Sequence, residues 1–206
     1  MKYPRGSDSD HCVQHGQATC LVPSLRPSLR ALGLALGLLA IPGLHAQNPK
    51  PSDYDVKAAY LYNFGRFVEW PENVAATRSG SFTICVLGQD PIRRSLDATL
   101  AGETIGGKTI VAKRISSAEE SGICQILFLS LTDDSRLNKI IADLDKMAVL
   151  TVSDMPQFVK RGGMIQFVLE GKKVRFEVNL TATQHAGLTL SSELLKVATA
   201  VKRDRD

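Results

Sequence analysis

The chain has 206 residues, with 25 Lys and Arg against 21 Asp and Glu, four cysteines and four histidines. Setting aside a leader over residues 1–46 leaves 21 basic and 19 acidic residues, a net charge of +2, which excludes the strongly basic footprint of a nucleic-acid binder. The remaining stretch, 47–206, is expected to form a single domain and is long enough to bury one core.

Ala31–Leu44 is an uncharged apolar run of 14 residues. Arg26 and Arg30 precede it, and Leu44-His45-Ala46 closes it on a small residue, the layout of a secretory signal peptide. Crossing a hydrocarbon core takes about 20 apolar residues, so the run reads as a cleaved leader rather than a retained anchor. No later segment resembles a membrane span, and no membrane insertion of the mature chain is expected. Cys12, Cys20, His11 and His15 lie ahead of the segment to be removed, so no metal site is expected there. Residues 1–21 also read as an extension ahead of a translation start near Val22 or Leu25.

Asn48–Asp53 is a Pro-containing linker into a helix. Ser52 and Asp55, three apart, match a capping box. Val56, Tyr60, Phe64, Phe67 and Val68 recur at helical spacing as one apolar face, and Pro71 stops the helix after Trp70. Gly65 within it costs roughly 1 kcal/mol against Ala, which points to a close helix contact. Four apolar runs follow: Phe82–Leu87, Thr109–Ala112 after the Gly106-Gly107 turn, Cys124–Leu129 and Ala148–Val152. They read as apolar on both faces, as strands of a covered parallel sheet are. Between the last two, Thr132 is the expected cap of a helix with Asp133 and Asp134 in its first turn. Leu137, Ile140, Ile141 and Leu144 form its buried stripe.

Gly162-Gly163 then leads into Met164–Leu169, and Glu170-Gly171-Lys172 turns the chain into Lys173–Val178. There Val174, Phe176 and Val178 alternate with Arg175 and Glu177, the pattern of an antiparallel hairpin strand at a sheet edge. A last helix from Ser192 is expected to bury Leu194, Leu195, Ala198 and Val201, leaving Lys202–Asp206 frayed. Alternating strands and helices argue for an α/β fold, a three-layer sandwich with a mostly parallel sheet and that hairpin at one edge.

Tyr60–Pro71 (YLYNFGRFVEWP), Ile84–Gly88, Leu150–Asp154, Gly162–Phe167 and Val174–Leu180 together resemble the YfiR-like family of periplasmic proteins. The likeness runs from Tyr54 to Ala198. It implies a small α/β periplasmic protein that acts as a repressor. The best-known member binds the periplasmic domain of an inner-membrane diguanylate cyclase and holds it inactive, limiting cyclic di-GMP and biofilm formation. A second copy of the chain, as a homodimer, is the other partner considered. Family members commonly carry a second cysteine pair near the C-terminal hairpin. Asp154–Asn179 holds no cysteine here, so redox control through that pair does not carry over. The leader also sets the domain apart from cyclic di-GMP itself, which is made on the other side of the membrane.

Cys85 and Cys124 fall in the first and third expected strands, neighbours in a doubly wound sheet of order 2-1-3. Adjacent strands lie about 4.8 Å apart, within the reach of a disulfide, and an exported compartment favours the bond. Closing a loop of about 40 residues would contribute on the order of 4 kcal/mol. Two buried free thiols are the alternative. A structural staple is expected ahead of a redox switch.

No catalytic residue, metal or cofactor is expected. His185, the single histidine after residue 46, follows a turn-like stretch at Thr181–Gly187 and reads as exposed; alone it offers no zinc set. Gly88–Pro91 (GQDP) carries one glycine where a dinucleotide fold places three. Arg175 and Glu177, with Ile165 and Phe167 as apolar anchors, are the expected partner-binding face. A weak surface ion pair between Arg175 and Glu177 is the plainer reading. Tyr60, Phe64, Phe67 and Trp70 read as core, Trp70 as partly exposed. The alternative function is a periplasmic small-ligand sensor using the crevice at the strand C-termini near Gly88–Pro91.

Overall fold

A computed structural model describes residues 50–203 apart from Val74, Asp134 and Lys146. The leader with its cysteines and histidines, and the tail after Arg203, lie outside the described residues. These belong to the compact unit Gln47–Asp206.

In chain order the elements are α1 (Asp53–Phe67), β1 (Val68–Glu69), α2 (Ala75–Arg78), β2 (Ser81–Gly88), α3 (Arg93–Leu100), β3 (Thr104–Ile105) and β4 (Lys108–Ile115). A first 3-10 turn, Ala118–Ile123, leads to β5 (Ile126–Ser130), α4 (Ser135–Asp143) and β6 (Leu150–Ser153). After a second 3-10 turn, Phe158–Arg161, come β7 (Ile165–Glu170), β8 (Lys173–Asn179), α5 (Leu180–His185), β9 (Thr189–Leu190), α6 (Ser192–Val197) and β10 (Ala200–Lys202).

The main sheet of the described residues runs β10-β8-β7-β6-β5-β2-β4-β3. Strands β4, β2, β5, β6 and β7 are mutually parallel, so the first three expected strands do stand in the order 2-1-3. The β7–β8 hairpin is antiparallel, and Gly171-Lys172 forms its two-residue turn. A further strand, β10, lies outside the hairpin and pairs parallel with β8. Residues 200–202 therefore extend the sheet rather than continue the last helix, which ends at Val197. At the other end, Gly106-Gly107 turns β3 into β4 as an antiparallel edge.

Helices cover both faces. Along β2 the side chains alternate: Ile84 and Val86 join a core with α1, α3 and α6, while Cys85 and Leu87 join a second core with α4 and the two 3-10 turns. Strands β2, β5 and β6 are buried on both faces, which explains their unbroken apolar runs. Strand β4 is not. Its burial alternates and Val111 is exposed, because it stands one strand from the edge and its outer face lacks a full helical cover.

Helix α1 carries the expected capping box: Ser52 Oγ accepts from the Asp55 N–H, and Asp55 accepts from the Ser52 N–H. Its buried stripe is Ala58, Leu61, Phe64 and Gly65, turned from the expected face so that Phe67 is exposed. The helix ends at Phe67, and Val68–Glu69 pair with β9. Gly65 meets a strand rather than a helix; a Cβ there would sit 3.0 Å from the Phe82 ring and closer still to Ile105. At α4, Asp133 rather than Thr132 supplies the local side-chain oxygen, accepting from the Ser135 N–H at 2.9 Å. Of the expected stripe, Leu137, Ile140 and Leu144 are buried, while Ile141 is half-buried.

Candidate functional site

Four places bear on function: the cysteine pair, the turn after β2, the hairpin and a groove between α1 and α6. Cys85 and Cys124 are joined by a disulfide with Cα atoms 5.8 Å apart. Cys124 ends the first 3-10 turn instead of lying in β5, and Cys85 pairs in register with Leu127. The bridge thus ties a strand to the loop that enters its neighbour. Both cysteines are 0 % exposed within the α4-side core. Disulfide exchange needs an attacking thiolate to reach a sulfur, so burial favours the staple over the switch.

The turn Gly88–Pro91 stands at the sheet's switch point, where α3 departs to one face and α4 to the other. A ligand crevice is the rule at such a point, yet here it is closed. Gly88 has φ +97, and a Cβ on it would fall 2.3 Å from the Ser130 carbonyl oxygen; the Gln89 N–H donates to that same oxygen at 2.7 Å. The two strand ends are pressed together. Beside them Asp90 takes Arg114 Nε at 2.7 Å and Arg93 Nε at 3.3 Å, and Arg114 Nη1 reaches Asp97 at 2.9 Å. Burial pushes the Arg114 guanidinium down, but the hydrogen bonds and charges of Asp90 and Asp97 outweigh it and hold the group above its ordinary value. The cluster fastens α3 to β4.

The four residues expected to form one binding face divide between the two sides of the hairpin. Ile165 and Phe167 are 0 % and 3 % exposed and belong to the core under α1, so they are not surface anchors. Arg175 and Glu177 point the other way and are half-buried. Their cross-strand partners are Val168 and Gln166, and neither forms an ion pair with a described residue. The hairpin register is the reason: Ile165 and Phe167 stand opposite Val178 and Phe176, so the odd positions of β7 share a face with the even positions of β8, and Arg175 and Glu177 fall on the other side.

An apolar concavity lies between α1 and α6. Ser191 caps α6 by accepting from the Leu194 N–H, and its own N–H donates to the Phe67 carbonyl at 2.9 Å, which seats α6 against the end of α1. Tyr60, Phe67, Leu194 and Val197 wall a groove of about 320 Å³, with Asn63 and Glu193 as its polar lining. Beneath it Tyr60 packs against Phe64, Phe167 and Phe176 with ring centroids 5.9, 5.9 and 5.3 Å apart. Phe67 and Val197 are 37 % and 57 % exposed. One turn back along α1, Lys57 pairs with Asp154 at 2.7 Å and lines a second concavity of about 310 Å³ with Val168 and Leu169. Leu169 is 61 % exposed. One side of α1 thus presents a broken apolar strip from the hairpin to α6.

Sequence reasoning placed Phe67 in the core and passed over Val197. Phe67 lies at the last turn of α1, where the chain turns extended at Val68, and no local pattern marks which of the two reaches solvent. Among the described residues no group of His, Cys, Asp and Glu is placed to hold a metal ion, and no helix is long and apolar enough to cross a membrane.

The model of the family described as YfiR/HmsC-like (DUF4154) matches residues 54–199. Among solved structures, a conserved domain protein of Vibrio cholerae O1 biovar El Tor str. N16961 gives a TM-score of 0.47 at 14 % identity, over 73 % of this chain and 60 % of that one. The ABC domain of Streptococcus pneumonia, solved in complex with L-Trp, gives 0.44 at 15 % identity, over 59 % of this chain and 55 % of that one. The chain spans less than two thirds of the length of either.

Proposed function

The chain belongs to the YfiR/HmsC-like family, and from that premise we propose that it is a non-enzymatic periplasmic regulator. It binds the outer domain of an inner-membrane signalling protein, a diguanylate cyclase first among them, and holds it inactive, so that cyclic di-GMP and biofilm formation are limited. The single observation that supports a docking role is the groove of Tyr60, Phe67, Leu194 and Val197, with two large apolar side chains exposed at its rim. A rigid, aromatic-floored pocket of this kind suits an apolar side chain from a partner protein. The disulfide supports the compartment, since oxidised pairs persist outside the cytosol. Arg175 and Glu177 are the weaker candidates, because their face of the hairpin is polar apart from Val168.

The test is capture of membrane proteins by the tagged mature domain, with the retained cyclase identified by mass spectrometry and its cyclic di-GMP output measured. A cyclase is expected to be retained and its output to fall. Phe67→Asp and Val197→Asp are each expected to weaken capture about tenfold or more, the scale of a hot-spot residue, with melting unchanged. Retention of no signalling protein would sink the reading; undiminished capture by both variants would remove the groove from it. The second reading, a small-ligand module, gains support from a polar cavity bordered by Lys160 and His185 rather than from the closed turn at Gly88–Pro91.

A further inference from the structure

We infer that an extended segment of the partner protein adds as a short strand to β7, in a gap left where β6 ends; this rests on the regulator reading above and names the kind of contact. The register of β6 with β7 stops at Ser153 and Gln166, whereas β8 accompanies β7 on its other side as far as Glu170 and Lys173. Residues 167–170 at about 3.3 Å each thus form a two-stranded arm about 13 Å long beyond the end of β6. Local chemistry stops β6 there. The Met155 N–H turns back to Ser153 Oγ at 3.1 Å, and Pro156 has no N–H for a ladder. Gln157 takes the left-handed region at φ 59, uncommon for a residue other than glycine. Asp154 is held by Lys57 of α1 at 2.7 Å.

The hairpin register decides which backbone groups face the gap. A two-residue turn makes Glu170 and Lys173 a hydrogen-bonded pair, and the Asn179 N–H donates to the Met164 carbonyl at 2.8 Å in the same phase. Even positions of β7 therefore bond to β8, and odd positions point to the β6 side. With β6 stopping at Ser153, the Phe167 carbonyl and both backbone groups of Leu169 have no strand beside them. The gap is the cavity of about 310 Å³ that Lys57, Asp154 and Pro156 share with β7, and Leu169 stands at its mouth 61 % exposed. Donors and acceptors at strand spacing select an extended backbone, and Leu169 selects an apolar side chain on the α1 side of it. Phe167–Leu169 carries no charge, unlike β4 near the opposite edge, where the exposed Lys113 guards against pairing. The chain's own approach to α1 cannot supply this strand, because Pro49 and Pro51 bring no N–H. A two-stranded ribbon is marginal alone, so a third strand also stiffens the arm.

Amide exchange and peptide binding of the mature protein, followed by NMR, test this. In the free protein the Leu169 N–H is expected to exchange about tenfold or more faster than those of Val168 and Glu170, which bond to β8. A capped six-residue peptide of alternating valine and threonine is expected to bind with a dissociation constant on the order of 1 mM. It should give saturable shifts at Phe167 and Leu169, slow the Leu169 exchange, and lose binding when its backbone N–H groups are methylated. Leu169→Pro, which removes the open N–H, and Leu169→Lys, which keeps it but guards the edge, should each weaken binding about tenfold. Leu169→Lys should leave the melting curve unchanged, and Val111→Lys on β4 should leave binding as it was. A slowly exchanging Leu169 N–H in dilute free protein, no saturable binding, binding that survives methylation, or equal effects of Leu169→Lys and Val111→Lys would overturn the site. Protection of Leu169 that grows with protein concentration would overturn it in favour of a second copy of the chain. The peptide needs no membrane partner, so a failed capture and a failed strand site are separate results.

Discussion

Asp55 joins two helices through one carboxylate. Its Oδ2 accepts from the Ser52 N–H and hydroxyl at 2.8 and 2.7 Å, and its Oδ1 accepts from the Ser95 hydroxyl on α3 at 2.6 Å. The Ser95 bond first, then those from Ser52, favour the charged form and hold the acid below its ordinary value of 3.8. A depressed folded value means that the contribution is present above about pH 4 and is lost as pH falls through the lowered value. Asp55→Asn should therefore lower the urea midpoint at neutral pH, and its gap to the parent protein should close in acid; a gap constant down to pH 2 would contradict this. The capping half was legible because Ser52 and Asp55 are three residues apart. Ser95 was not, since its nearness exists only once α1 and α3 pack. Gln125 illustrates the same limit. Buried, it accepts from the Thr83 N–H at 2.6 Å, donates to the Ala76 carbonyl at 2.5 Å, and its own carbonyl takes Trp70 Nε1 at 3.1 Å, none of which local pattern announces.

At the scale of elements, the second 3-10 turn and the hairpin meet at Gly163. A Cβ on Gly163 would lie 2.2 to 2.5 Å from the Phe158 ring, and Phe158 is wholly buried with no room to withdraw. Gly163→Ala should cost about 1–3 kcal/mol by overpacking, read from urea unfolding. Gly80→Ala, with nothing within 4 Å of the added carbon, is the control expected to stay near neutral. Equal effects of the two would refute the packing argument. The hairpin itself was plain in the sequence because alternation and a Gly-containing turn are local signals. The end of the chain was not. Leu194 and Leu195 promise a longer helix, but Ala198 is extended and the Thr199 N–H donates to the Phe176 carbonyl at 2.9 Å. The open edge of β8 recruits residues 200–202, and satisfying those backbone groups outweighs one more helical turn.

Across the whole molecule the disulfide closes a loop with a sequence separation of 39, running from the central strand through α3 and β4 to the entry of β5. Cys85→Ala with Cys124→Ala should lower stability by about 4 kcal/mol at most in the chain-entropy view. Because both sulfurs are enclosed, dithiothreitol should reduce the native protein only at unfolding concentrations of urea. Ready reduction in the folded state would instead make the bond a switch. The three-layer α/β architecture, the strand order around β2 and the family likeness followed from the sequence alone, because covered strands and amphipathic helices must write their burial into local composition. The sites did not. Whether Phe67 or Phe167 reaches solvent, whether the switch point is open, and which of Lys160, His185 and Lys202 come together depend on how elements far apart in the chain are stacked. A side chain's neighbours across a sheet leave no periodic mark in the segment that carries it, so only the tertiary structure decides them.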